Sequence, residues 1–280
     1  MKRHGWVIFW AVLATAAVVT AVLLFTPLGR GALAWAGGDL PDSSVPPPEN
    51  PAPPASSAVI EADSSSLIND PSAAFWKDCI HLYVELVTQT PELPNGCEAT
   101  SLTMVLNYLG FEADKLTIAY DYIPRQDFEY SYYSLTGGNP ETVYAGDPAT
   151  DMGFYCFPPV VAEGANLYLE AQGSDLRARD ISGADESQLV EQLLAGRPVV
   201  LWKTLYSQPA ETREDLAWIR SDTGELYIPY VNLHVVVLHG FDADYFYMND
   251  PYGEVVRVER ELVMAGYEEL GSRALVITED

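Results

Sequence analysis

The sequence predicts an α+β domain in which one long helix precedes an antiparallel sheet, set behind an apolar N-terminal segment and a proline-rich stretch. Three observations carry this expectation. Leu102, Val105, Leu106 and Leu109 recur at helical spacing, with Gly110 where a helix ends. From Pro198 onward, short runs rich in Val, Leu, Tyr and Phe alternate with turn residues. Ahead of both, the composition changes twice, at about residues 30 and 72.

The N-terminal change comes first. Lys2, Arg3 and His4 precede Trp6 to Phe25, a stretch without a charged residue. Twenty such residues in a helix rise about 30 Å, the thickness of a bilayer core. The basic residues should stay in the cytoplasm, which sends the following chain outward. Residues 1–30 are thus expected to form a cytoplasmic tip and transmembrane anchor. The alternative is a signal peptide cut near Ala32-Leu33-Ala34 or Ala34-Trp35-Ala36, and the apolar length favours retention. Residues 31–72 hold Pro46-Pro47-Pro48, Pro53-Pro54 and Ser64-Ser65-Ser66. Prolines forbid a packed helix and serines bury little, so this is expected to be a semi-extended, disordered linker. The folded domain is expected over residues 73–280.

Within that domain, Asp185 to Leu194 reads as a second helix closed by Gly196. Pro198 to Thr204 reads as a strand, and Leu233 to Gly240 with Tyr245 to Asn249 as a hairpin. Glu254 to Val258 and Ala274 to Ile277 add strands. Ser131 to Pro158, rich in Gly, Pro, Tyr and Asp, reads as a long irregular stretch of the kind that often carries function.

Charge excludes one class of partner. Forty acidic residues face 15 basic ones, a net charge of -25 that repels nucleic acid and anionic headgroups. No metal or cofactor is implied. No two of the four histidines stand at i, i+4 with a glutamate between them, and the three cysteines are widely spaced. Cys79 and Cys156 could pair as a disulfide outside the cell, although nothing in the spacing demands it.

The chemistry concentrates at Cys97. It opens the first helix, where unpaired N–H groups and the helix dipole stabilise a thiolate. Gly96 leaves room there for a substrate backbone. Glu98 suits the dipole but opposes thiolate formation, and reads as structural. The balance expected is a lowered thiol pKa at Cys97. A base is needed, and His81, His234 and His239 are the candidates in the domain. With the hairpin turn centred at Asp242 to Ala243, His234 falls opposite Asp250 or Pro251, close enough for a carboxylate to orient an imidazole. His239 lies near the turn with no such partner. The bland alternatives are a small buried cysteine and a satisfied histidine at a strand end.

These residues carry a resemblance. Leu93-Pro94-Asn95-Gly96-Cys97-Glu98-Ala99-Thr100-Ser101-Leu102, with Asn107-Tyr108-Leu109-Gly110, resembles the nucleophile motif of bacterial peptidases related to the bacteriocin-leader-processing family, of the papain superfamily. His234-Val235-Val236-Val237-Leu238, Gly240-Phe241-Asp242 and Asn249-Asp250-Pro251 with Gly253 resemble its histidine and aspartate block. Gly146-Asp147-Pro148, Pro158-Pro159-Val160-Val161 and Gly196-Arg197-Pro198-Val199 resemble its middle segments. The resemblance implies a papain-like fold and a cysteine peptidase acting on peptide or protein through a thioester. Cys97 would be nucleophile, His234 base and Asp250 orienting acid. Gln89, eight residues before Cys97, would help bind an oxyanion. Leader-processing members are usually fused to a transporter ATPase. This sequence holds no Gly-x-x-x-x-Gly-Lys motif, so export powered by its own ATPase is not expected. A catalytically silent binding module at the cell surface is the alternative function.

Overall fold

A computed structural model describes residues 79–132 and 134–279. The expected anchor and linker, residues 1–72, lie outside the described residues. Among those described, no helix is long and apolar enough to cross a membrane.

The centre is a seven-stranded sheet, antiparallel at every pairing. Its strands are β1 (Ile80–His81), β2 (Leu176–Asp180), β3 (Val199–Thr204), β4 (Leu233–Phe241), β5 (Tyr245–Asp250), β6 (Glu254–Glu259) and β7 (Ala274–Glu279). They lie in the order β6-β5-β4-β3-β7-β2, with β1 added on β4. Strands β3 and β4 are apolar and buried nearly throughout, as strands covered on both faces must be. Helices α1 (Cys97–Tyr108) and α2 (Pro158–Ala171) share one core with Val235, Val237 and Trp202. On the other face, residues of α3 (Glu186–Leu194) and α4 (Arg260–Glu269) pack with Val236, Leu238 and Met248.

Local chemistry explains the elements. Asp185 caps α3 in a full capping box with Gln188. Pro158 and Pro159 start α2, where a missing N–H costs nothing. Helix α1 ends at Gly110, whose φ of 91° suits glycine alone. The α+β class, the helix over the antiparallel sheet, and the positions of α3 and β3 to β7 agree with the sequence expectation.

Two features differ from it. The stretch 131–158 is not without order. Leu135–Gly137 joins a four-stranded sheet with Glu129–Tyr130, Trp218–Arg220 and Leu226–Tyr227, and Tyr144–Ala145 pairs in parallel with Arg125–Gln126. The strands are too short for periodicity to reveal them. The second difference is hairpin register. Val237 faces Asn249 and Gly240 faces Tyr247, with a bulge between Leu238 and Gly240. Continued along β4, that register sets Asp250 opposite Val236 and Tyr252 opposite His234. The extra residue of a bulge cannot be counted from a turn position alone.

Gly240 permits β1 to dock. A Cβ there would lie 2.6 Å from the Ile80 carbonyl oxygen. We predict that Gly240→Ala destabilises the domain by about 1–3 kcal/mol, because backbone rather than a side chain must move. Urea unfolding of the variant against the parent measures this.

Candidate active site

Cys97 is the first residue of α1, and the segment before it is held by two loops. Gln89 N–H donates to the Pro251 carbonyl at 2.8 Å, and the Gln89 Nε2 amide donates to the Pro94 carbonyl at 2.6 Å. On the other side, Asn95 N–H donates to Pro148 O at 3.0 Å and Asn95 Nδ2 to Thr150 O at 2.8 Å, while Tyr144 Oη donates to Asn95 O at 2.6 Å. The Gly146-Asp147-Pro148 turn is therefore a clamp on the loop before Cys97. Gly146 is required in it, with φ 89° and a hypothetical Cβ 1.8 Å from Met152 O. Gly96 has a packing reason of its own, since a Cβ there would meet Leu93 Cβ at 2.6 Å.

Ser101 Oγ donates to Val235 O at 3.2 Å, tying α1 to the first residues of β4. The backbone N–H of Val235 in turn reaches the Cys97 thiol, so the sulfur sits beside the residue that follows His234. His234 Nε2 lies 2.8 Å from Asp250 Oδ1, a diagonal contact across the hairpin. Asp250 Oδ1 also accepts the Tyr252 N–H at 2.9 Å. The Tyr252 ring stacks on the His234 imidazole, with centroids 4.6 Å apart and planes 9° from parallel. Although His234 is only 2% exposed, Tyr252 is 51% exposed and forms its roof.

The electrostatics of the two halves differ. The His234 hydrogen bond, its charge, the Tyr252 N–H and nearby Lys203 outweigh the opposing effect of burial, and hold the Asp250 carboxyl below its ordinary value. Lys203, directly across β4 from His234, is buried, and burial lowers its ammonium pKa against the pull of Asp250. Its Nζ donates to Thr204 O at 2.8 Å. The thiol behaves otherwise than expected. Cys97 is 7% exposed, and burial followed by the Glu98 charge pushes its pKa up well past the Val235 N–H contribution. A lowered thiol pKa is therefore not what this conformation holds. Burial, which a sequence does not display, decides the sign.

Glu98 is fully buried beside it. Its Oε1 accepts the Cys156 N–H at 2.9 Å and its Oε2 accepts the Cys97 Sγ–H at 3.4 Å. Burial raises its carboxyl to about 7. Glu98, Tyr252 and Lys203 went unread as parts of the site. Tyr252 lies in the turn after β5, where its N–H folds back onto Asp250.

The remaining candidates are accounted for. His239 is buried against His81, with ring centroids 4.8 Å apart, and burial followed by His81 lowers its pKa to about 4. Cys79, Cys97 and Cys156 are all free thiols. Among the described residues, no three His, Cys, Asp or Glu side chains converge as a metal would require. Two cavities meet at Tyr252. One of about 640 Å³ is lined by Asn95, Tyr130, Phe154, Tyr155, Tyr230 and Tyr252. The other, of about 480 Å³, touches His234, Asp250, Lys203 and, again, Tyr252. Tyr252 thus stands between them.

A cysteine opening a helix that lies across an antiparallel sheet, next to a strand that begins with a carboxylate-bound histidine, describes a cysteine peptidase-like domain. The chain belongs to the Peptidase_C39 like family, whose model matches residues 81–275. It is 34% identical over 188 residues to the uncharacterized protein YvpB of Bacillus subtilis (strain 168), a match covering 67% of this chain and 70% of that one. A crystal structure of a C39-like peptidase from Bacillus anthracis superposes with a TM-score of 0.61 at 29% identity, over 71% of this chain and 98% of the other.

The buried carboxylate sets a test of its own. Unfolded, Glu98 titrates near its ordinary value of 4.5; folded, it titrates near 7. Between those values the folded state binds the extra proton, so stability falls as pH rises and the full penalty is present above about 7. We predict that Glu98→Gln removes this slope and gains most above pH 7. The check is the difference in Tm between the parent and the variant across pH 4 to 8.

Proposed function

We propose that the protein is a cysteine peptidase that hydrolyses peptide bonds by way of a thioester at Cys97. The observation that carries this reading is the 2.8 Å contact from His234 Nε2 to Asp250. It commits one ring nitrogen to a carboxylate and leaves Nδ1 for the thiol. With the Sγ rotated toward the ring, His234 takes its proton, and the thiolate attacks the substrate carbonyl. Asp250 fixes the ring's orientation and favours the imidazolium that results. The Cys97 N–H and the second hydrogen of the Gln89 amide are the donors available to the developing oxyanion. His234 then protonates the leaving amine, and water hydrolyses the thioester. The aromatic cavity beside Tyr252 is suited to peptide side chains on one side of the scissile bond.

A second reading has an observation in its favour. The burial of Cys97 and its bond to Glu98 suit a silent binding module that keeps the groove. Labelling separates the two. We predict that a peptidyl vinyl sulfone labels the parent and not Cys97→Ala. His234→Ala and Asp250→Asn should each slow labelling about 100-fold or more, their combination little further, and His239→Ala not at all. Additive losses, or a requirement for His239, would reassign the base.

We further infer that the domain works outside the cytoplasmic membrane, tethered by Trp6 to Phe25 through the proline-rich linker. The support is the uncharged apolar length behind Lys2 and Arg3. The expected outcome is full-length protein in the membrane fraction, open to protease added outside the cell. A soluble mature form starting near Gly37 would defeat the tether.

A further inference from the structure

We propose that Glu98 is a positioning residue that latches Cys97 in a resting state, holding the thiol protonated until the thiol swings away from the carboxylate. This deepens the peptidase reading and rests on Cys97 as its nucleophile. The geometry is specific. The carboxylate is wholly buried, and each of its oxygens has one partner: the Cys156 N–H for Oε1, the Cys97 thiol for Oε2. The Cys156 bond fixes the side chain from a second element, the segment leading into α2. Cys156 is itself locked by Trp202 Nε1, which donates to its carbonyl at 2.9 Å. The latch is thus braced by the sheet and cannot drift with α1 alone.

Around it, no charge of opposite sign compensates. The titratable groups facing Glu98 are Cys97 on its own helix, Cys156 before α2, and Tyr144, whose hydroxyl is spent on Asn95 O. Those acting on the thiol from β5 and beyond are Asp250 and Tyr252. Each of these is neutral or anionic when it titrates, so the cation available to a thiolate is the imidazolium of His234 on β4, held by Asp250. A charged Glu98 therefore disfavours a thiolate at Cys97, and the two groups titrate as a coupled pair. Removing the charge of Glu98 at constant pH removes the repulsion on the thiol. Binding of a substrate that displaces the thiol from Oε2 would release it.

The test is alkylation of Cys97 by iodoacetamide across a pH series, read by mass spectrometry on the full chain, parent against Glu98→Gln. Glutamine keeps an oxygen for Cys156 and offers an N–H to the sulfur. The expected result is a Cys97 profile moved down by about one pH unit or more in the variant, with Cys156 unreactive in both. Equal profiles at a folded Tm overturn the latch while leaving the nucleophile in place. Alkylation of Cys97 in neither protein overturns both the nucleophile and the latch. Should the variant not fold, infrared titration of the parent decides. A protonated carboxyl band that titrates near pH 7 and moves in Cys97→Ala supports the latch, and its absence overturns it.

Discussion

The site depends on where the N-terminus of α1 meets the beginning of β4. Ser101 bonds the Val235 carbonyl and the Val235 N–H acts on the Cys97 thiol, so two residues one helical turn apart on α1 face one residue of the strand. That contact helps set the helix against the sheet. The candidate site is arranged around it: the thiol on the helix side, the imidazole one residue earlier on the strand. The apolar run from Val235 to Leu238 supplies the affinity, packing α1 and α2 on one face and α3 and α4 on the other. The polar contacts supply the register.

Setting a thiol, a carboxylate, an imidazole and an ammonium so close to a packed core is expensive, and each is provided for differently. Asp250 is paired and accepts a backbone N–H. Lys203 donates to the carbonyl of its own neighbour and sits across the strand from His234. His234 is thereby flanked by a carboxylate bonded to its ring and an ammonium on the adjacent strand. Tyr252 stacks on its open face. Glu98 alone has no cation, and its raised pKa is the consequence.

Much of this was legible in the sequence. The nucleophile helix showed in the spacing of Leu102, Val105, Leu106 and Leu109, and α3 in its cap at Asp185. The β4–β5 hairpin showed in its alternation, and the nearness of Asp250 to His234 followed. The pairing itself did not, because the bulge at His239 displaces the register and makes the contact diagonal. The distinction between His234 and His239 survived, since it rested on which end of the strand meets the carboxylate. The pKa of Cys97 was not legible. A helix N-terminus is a local property that a sequence displays, whereas desolvation follows from the buried core that Cys97 shares with residues of α2, β3 and β4.

Glu98 shows the same division most sharply. From the sequence it is an acidic residue in the first turn of a helix, a position that ordinarily favours an exposed carboxylate interacting with the dipole. In the fold that turn is pressed between β4 and the segment before α2, and solvent is gone. The dipole contribution falls far short of the cost of removing a carboxylate from water, so the residue keeps its proton to about neutral pH. The loss of solvent also brings Cys97 and Cys156 within reach of the two oxygens. A residue that local rules describe as a helix stabiliser becomes, through burial alone, the group with most control over the thiol beside it.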